Sequence, residues 1–144
     1  MSAKLKEEEG KPKPQLVIID DNERFSATLQ TFFKHQPYEI TTFVNGEAAL
    51  HAFNSGTVSP DVILCDLHMP KKNGIAVLKE LRASEMWSDV SVIILTSDEE
   101  DEAELSAVQT GADLFIKKSG SLKKLRAYIE NFVSRAQRRK QLVA

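Results

Sequence analysis

Four short apolar segments of this chain each end in residues that can do chemistry. The polar residues directly after them are Asp20 and Asp21, Asp66, Thr96 and Ser97, and Lys117 and Lys118. Brought together, they would form a pocket of three carboxylates, one or two hydroxyls and an ammonium group. Clustered carboxylates repel one another and favour a cation, and hard oxygen ligands with room for water suit Mg²⁺. A carboxylate in such a pocket can act as a nucleophile toward phosphorus.

Each of these residues also has a structural interpretation. Acids after a strand often cap the next helix, so Asp20 and Asp21 could do only that. Thr96 suits a turn, and a pair of lysines suits a solvated strand end. Asp66 is harder to explain in this way, because a carboxylate directly after a buried apolar run loses its solvation without a partner. The chemical interpretation therefore depends on the agreement of four strand ends.

Strands and helices must alternate along the chain to position these ends. Short apolar runs predict strands at Leu16–Ile19, Val62–Cys65, Val92–Leu95 and Leu114–Ile116, and the alternating pattern of Tyr38–Phe43 predicts one more. Apolar residues at helical spacing predict helices over about 22–35, around Ala49–Phe53, over about 74–86 and 99–110, and from about 119–121 to about 138. Strands one, three and four are continuously apolar, which is typical of a parallel sheet covered by helices on both faces. Ligands of such sheets bind beyond the carboxyl ends of the strands, where the polar residues lie.

The composition fits one folded domain. With 144 residues, 42% of them hydrophobic, the chain can bury a single sizeable core. A net charge of −2 argues against a disordered chain and against a basic protein that coats nucleic acid. No apolar run could cross a bilayer, the charged start is not a secretory signal, and a lone Cys65 excludes an internal disulfide. We expect a cytoplasmic protein with a flexible lead-in over residues 1–15, a domain over 16–134 and a basic tail over 135–144 that extends the last helix.

Four segments of the chain resemble the receiver domains of bacterial two-component response regulators. They are Ile18–Asn22, Leu64–Gly74, Val92–Ser97 and Gly111–Lys118. The resemblance covers about residues 15–134, so the domain over 16–134 would be a receiver domain. It implies an α/β fold with a five-stranded parallel sheet, helices on both faces, and the flavodoxin-like or CheY-like strand order 2-1-3-4-5.

The resemblance also implies how the acidic residues act. Asp66 would accept a phosphoryl group from a partner histidine kinase or histidine phosphotransfer protein. Asp20 and Asp21 would help to hold Mg²⁺, together with Asp66 and the backbone carbonyl of His68. The chain would then be a phosphorylation-dependent signalling switch, catalysing only its own phosphoryl transfer and dephosphorylation, and not an enzyme.

The same resemblance assigns the remaining site residues. Thr96 would hydrogen-bond the attached phosphoryl group, and Phe115 would change rotamer together with it. The family lysine lies seven residues after the glycine that corresponds to Gly111, which makes it Lys118 and not Lys117. Phe115 would report phosphorylation to a face made by helix four, strand five and helix five.

The chain departs from the family pattern at three places. Ser119 stands where a proline usually follows the active lysine, and we expect a trans peptide bond before it. The side chains of His68 and Asp98 occupy positions that border the phosphoryl group in the family. Helix four has a thin apolar face of Ala103, Ala107 and Val108, and we expect it to be mobile.

Output is expected through protein–protein contacts or a phosphorelay. Only a short tail follows the last helix, which predicts a stand-alone receiver without a nucleic-acid or membrane partner. Residues 117–140 contain nine basic residues and one acidic residue, whereas six acids lie between Asp98 and Glu104. The resulting acidic and basic strips predict docking of a target, or pairing of two copies, through the face of helix four, strand five and helix five.

Three alternative functions are weaker. A flavodoxin-like protein that binds FMN would not place Asp20 and Asp21 against a phosphate. A hydrolase of the haloacid dehalogenase type spaces its two aspartates one residue apart, whereas here they are adjacent. A receiver that is never phosphorylated typically lacks a site residue, and this chain keeps Asp20, Asp21, Asp66, Thr96 and Lys118.

Overall fold

A computed structural model describes residues 12–97 and 101–143 of the chain. Five strands alternate with five helices in it. The strands are β1 (Gln15–Ile19), β2 (Glu39–Phe43), β3 (Val62–Asp66), β4 (Ser91–Thr96) and β5 (Leu114–Lys117). The helices are α1 (Glu23–Phe33), α2 (Gly46–Asn54), α3 (Gly74–Ala83), α4 (Asp101–Thr110) and α5 (Leu122–Val143). None of the described helices is both long and apolar enough to cross a membrane.

The strands form one parallel sheet in the order β2-β1-β3-β4-β5. This confirms the predicted fold class and strand order. The sheet changes winding direction between β1 and β3, where the chain has moved outward to β2 and then returns. In open α/β sheets the crevice at such a point, beyond the carboxyl ends of the strands, is where ligands bind.

The core lies on both faces of the sheet. Val17 and Ile19 pack on the side covered by α2, α3 and α4, whereas Leu16 and Ile18 pack on the side covered by α1 and α5. Strands β3 and β4 are buried over their whole length, as their continuous apolar runs predict. Because both faces are covered, the sheet is a rigid platform and its polar strand ends are held in place.

Asparagine side chains begin the helices that follow β1 and β3. The Oδ1 atom of Asn22 accepts a hydrogen bond from the N–H of Phe25, and that of Asn73 accepts one from Ala76. Each cap satisfies an amide group that the first helical turn leaves without a backbone partner. The caps fix where α1 and α3 begin, directly beside the polar strand ends.

Some predicted boundaries differ from the observed ones. Helix α3 ends at Ala83, not near residue 86, because Ser84 has an extended backbone. Helix α5 continues to Val143, beyond the predicted end near 138. The Nζ atom of Lys140 lies 2.7 Å from the buried carboxylate of Asp61, an ion pair that joins the last turns of α5 to the residue before β3. Of the predicted lead-in, residues 1–11 lie outside the described residues.

Candidate functional site

The acid pair begins at the carboxyl end of β1. The backbone N–H of Asp20 donates to the carbonyl of Phe43, which aligns this end with the end of β2. Asp20 is buried, and its Oδ1 atom accepts a hydrogen bond of 2.8 Å from the N–H of Asn22. Asp21 is exposed. One carboxylate of the pair is therefore fixed inside the pocket, and the other lies at its mouth.

Asp66 ends β3 and is 6% exposed. The chain then turns back on itself, since the N–H of Gly74 donates to the carbonyl of Leu67. A Cβ atom at position 74 would lie 2.5 Å from the carbonyl oxygen of Asp66, so a larger residue would push α3 away from the strand end. Lys71, in the intervening loop, has a left-handed backbone with φ of 69°. This tight return fixes the backbone of Asp66.

The three carboxylates form one cluster. One oxygen each from Asp20, Asp21 and Asp66 lie within 4.8 Å of one another. The sequence predicted that β1 and β3 would bring these acids together, and the structure does so. Such a cluster is electrostatically unfavourable without a cation.

The ammonium group of Lys118 supplies positive charge to this cluster. Its Nζ atom lies 2.7 Å from Oδ2 of Asp20 and 3.4 Å from Oδ1 of Asp66. The backbone N–H of Lys118 donates to the carbonyl of Thr96, which holds the start of the β5–α5 loop against β4. Lys117 is exposed and ends β5. Of the two lysines, Lys118 is thus the one that reaches the carboxylates.

The pKa of Asp66 is raised from its usual 3.8 to about 6, mainly because the carboxyl group is buried and also because of the negative charge of Asp20. The Lys118 ammonium opposes this rise. Most of the Asp66 carboxyls are then ionised at pH 7, and a nucleophile toward phosphorus must be ionised. Burial raises the pKa of the neighbouring Cys65 thiol, so Cys65 stays protonated and is a core residue.

The other predicted site residues belong to neighbouring strands and loops. Thr96 ends β4 and is 1% exposed, next to the strand that carries Asp66. Phe115 of β5 is half-buried against the core side that α4 covers. His68 is exposed, two residues after Asp66, and Asp98 lies outside the described residues. No peptide bond is cis in the described part of the chain, which confirms the expected trans bond before Ser119.

Phe25 is a site residue that sequence reasoning missed. Its apolar spacing assigned it only to the buried face of the first helix. In the structure its ring lies under the ammonium of Lys118, with the Nζ atom 4.6 Å from the ring centroid. The signal available in the sequence was its position five residues after Asp20, in the first turn of α1.

Comparison with known proteins agrees with this geometry. Residues 16–130 match the response regulator receiver domain. The chain is 32% identical over 136 residues to the "Probable transcriptional regulator ycf27" of Cyanidium caldarium, covering 94% of this chain and 53% of that protein. The chain spans about half the length of the curated relatives it matches.

Solved structures show the same fold. The receiver domain of the Francisella response regulator 1452 aligns with a TM-score of 0.76 and 28% identity, over 85% of this chain and 98% of that one. The Mn²⁺-bound form of response regulator Rcp1 aligns with a TM-score of 0.72 and 24% identity, over 85% of this chain and 93% of that one. The family match covers most of the chain, and the strand order and acid cluster accord with it. The chain belongs to the response regulator receiver domain family.

Proposed function

We propose that Asp66 is the phosphoacceptor of this receiver domain. The donor is a histidine kinase or a histidine phosphotransfer protein. The observation that carries the proposal is the surroundings of the Asp66 carboxylate. It has two further carboxylates beside it and an ammonium group 3.4 Å away, at the end of a fully buried strand. Such a pocket concentrates charge where phosphoryl transfer needs it.

In the proposed transfer, a carboxylate oxygen of Asp66 bonds to phosphorus while the bond from phosphorus to the donor's histidine nitrogen breaks. The electron pair of that bond stays on the nitrogen. Lys118 and the hydroxyl of Thr96 bind the phosphoryl oxygens as charge moves onto them. Water later attacks the aspartyl phosphate, which releases inorganic phosphate and restores the Asp66 carboxylate. The domain catalyses only these two steps on itself.

The acid cluster fits a hard divalent cation. Three carboxylate oxygens within 4.8 Å of one another, one of them at the exposed mouth of the pocket, match the few protein ligands and several waters that Mg²⁺ prefers. We assign the ion to Asp20, Asp21 and Asp66, with the backbone carbonyl of His68 as a further ligand. When bound, Mg²⁺ offsets repulsion between the carboxylates and an incoming phosphoryl group. The Mn²⁺-bound form of Rcp1 supports this assignment.

Intact-protein mass spectrometry tests the phosphoacceptor. With acetyl phosphate and Mg²⁺, the wild type should gain the mass of one phosphoryl group and Asp66→Asn should not. The matched control is Asp89→Asn, which changes an exposed aspartate after α3 and should leave the mass gain intact. EDTA should prevent the gain in the wild type. A phosphoryl group on Asp66→Asn would disprove the assignment, and equal transfer in EDTA would remove the metal.

The phosphorylated domain is proposed to signal through the face of α4, β5 and α5. Large apolar side chains are exposed on its helices, Leu105 and Val108 on α4 and Tyr128 on α5. The same helices expose the acidic Glu102 and Glu104 on α4 and the basic Lys123 and Lys124 on α5.

This mixture of apolar and charged side chains suits the binding of a target protein or of a second copy of the domain. The other proposed output is relay of the phosphoryl group to another phosphotransfer protein. We place these exchanges in the cytoplasm and include neither nucleic acid nor membrane among the direct partners.

A further inference from the structure

We propose that Phe25 is a positioning residue, whose ring holds the ammonium group of Lys118 over the phosphoacceptor. This inference rests on the proposed function and adds to it a residue outside the acid, hydroxyl and lysine set. Within the described residues, three groups lie close to the Nζ atom of Lys118. They are Oδ2 of Asp20 at 2.7 Å, Oδ1 of Asp66 at 3.4 Å and the ring centroid of Phe25 at 4.6 Å.

The ring itself is firmly held. The N–H of Phe25 donates to Oδ1 of Asn22, the residue that caps α1 directly after the acid pair. The ring packs against the core on the side of α1 and α5. Its position is therefore tied to the same turn that orients Asp20.

Lys118 is anchored at its backbone but has a long side chain. Its N–H bonds to the carbonyl of Thr96, but the next two residues, Ser119 and Gly120, are exposed. Four rotatable side-chain bonds separate the backbone from the ammonium group. The contacts at the end of the side chain must then decide where the charge sits.

The ring differs from the two carboxylates because it has no other role in the transfer. Asp66 changes its charge and bonding when it accepts a phosphoryl group, and Asp20 is assigned to the metal. An aromatic face attracts a cation through its quadrupole, which neither step alters. We infer that the ring keeps the ammonium in place while its carboxylate partners are engaged elsewhere.

Graded fluorination of the ring tests this. Phenylalanine with one, two or three ring fluorines at position 25 keeps the shape of the side chain but progressively weakens its attraction for a cation. Phosphorylation by acetyl phosphate should slow stepwise, by at least about two- to fivefold across the series, because that is the range for an exposed cation–π contact and the Lys118 side chain is mostly buried. Phe25→Leu should slow phosphorylation at least as much as the trifluorinated ring does. Phe25→Trp, which keeps an aromatic face, should be phosphorylated at close to the wild-type rate.

Phe32 provides a matched control. Its ring also lies near a cation, with Arg126 Cζ 5.8 Å from the centroid, but on a contact outside the acid cluster. The same fluorinated series at position 32 should leave the phosphorylation rate unchanged. An equal slowing in both series would show a general effect of fluorination and would overturn the proposal.

A second measurement does not depend on phosphorylation. In the unmodified protein, ring current from Phe25 should shift the Lys118 side-chain proton resonances upfield, and Phe25→Leu should abolish that shift. If the wild type accepts no phosphoryl group but shows the resonance shift, the proposed function is wrong, whereas the contact between Phe25 and Lys118 is supported. Equal phosphorylation rates across the fluorinated series would overturn the positioning role of Phe25, whether or not the resonance shift is observed.

Discussion

Asp66 carries a negative charge where burial and the Asp20 carboxylate both oppose it. Its pKa of about 6 in the folded protein exceeds its usual 3.8, so the folded chain binds the proton more tightly than the unfolded chain does. Between these two pH values the folded state holds more protons, and the free energy of unfolding falls as the pH rises. Well above pH 6 the full cost of this charge is present. The site is therefore a place where function lowers stability.

Replacing Asp66 by asparagine should for this reason stabilise the protein. In EDTA at pH 8 we expect Asp66→Asn to raise the free energy of unfolding by roughly 1–3 kcal/mol. At pH 4 the carboxyl of the folded wild type is protonated, and the two proteins should differ little. Urea unfolding at both pH values measures the difference.

Asp113→Asn is the contrasting variant. Its carboxylate accepts a hydrogen bond from the N–H of Val92 and pairs with Arg82, so its loss should destabilise the protein at pH 8. An Asp66→Asn variant that is less stable than the wild type at pH 8 would contradict the argument from burial.

The adjacent lysines should differ sharply in function. Lys118→Ala removes the ammonium next to Asp20 and Asp66, and we expect it to abolish the activated conformation. Lys117→Ala should leave that conformation nearly intact, because this exposed residue lies at the end of β5. Amide NMR spectra before and after addition of beryllofluoride and Mg²⁺ report the change. The reverse ranking would shift the family register by one residue.

The acid pair, Asp66 and Lys118 could be predicted because the carboxyl ends of parallel strands share one rim. That rule needs only the strand positions, which continuous apolar runs mark well. The contact of Phe25 with Lys118 could not be predicted in this way. It depends on how α1 docks beside the β5–α5 loop, a tertiary contact between residues far apart in the chain.

At the scale of elements, Arg82 joins three parts of the fold near the end of α3. Its guanidinium donates to carbonyl oxygens after that helix and in the α4–β5 turn, and to one carboxylate. The acceptors are Trp87, Ser88, Val90, Gly111 and Asp113. Gly111 has φ of 110°, and a Cβ atom there would lie 3.1 Å from Nε of Arg82. These contacts tie α3 to the start of β4 and to β5.

Arg82→Lys should therefore be destabilising despite the retained charge. A lysine cannot reproduce the planar set of donors, and buried carbonyl groups would lose their partners. We expect a loss of roughly 2–4 kcal/mol in the free energy of unfolding, measured by urea denaturation.

The control for Arg82 is Arg24→Lys, at an exposed position of α1, which should change stability by less than about 0.5 kcal/mol. Equal losses in the two variants would remove any special role from Arg82.

The ends of the helices were harder to predict than the presence of the helices. Apolar spacing alone extends the third helix to about residue 86, whereas the carbonyls that Arg82 binds belong to an irregular segment after Ala83. The extra length of α5 carries Lys140, which pairs with Asp61 although the apolar pattern had already ended. Both boundaries involve polar contacts, which the spacing of apolar residues does not encode.

At the scale of the whole molecule, charge is segregated between α4 and α5. We expect activation to promote association through the α4, β5 and α5 face, and the association to weaken as ionic strength rises, because exposed charge pairs are screened. Analytical ultracentrifugation with and without beryllofluoride, at low and high salt, measures it.

Charge reversal shows whether this face is the one used. Glu104→Lys and Lys123→Glu should each weaken the association, and the double variant should recover part of it. A monomer under every condition would exclude self-association. Partner binding that neither reversal changes would exclude this face.

The strand order β2-β1-β3-β4-β5 also governs what happens while the chain is being made. Residues 15–66 contain three strands that pair only with one another until β4 is added. Because the chain is synthesised from its N-terminus, these three strands become available for pairing before β4 and β5 do. Pairing at that stage would bring Asp20, Asp21 and Asp66 together without Lys118. The resulting cluster of negative charge would be uncompensated until the cation after β5 joins it.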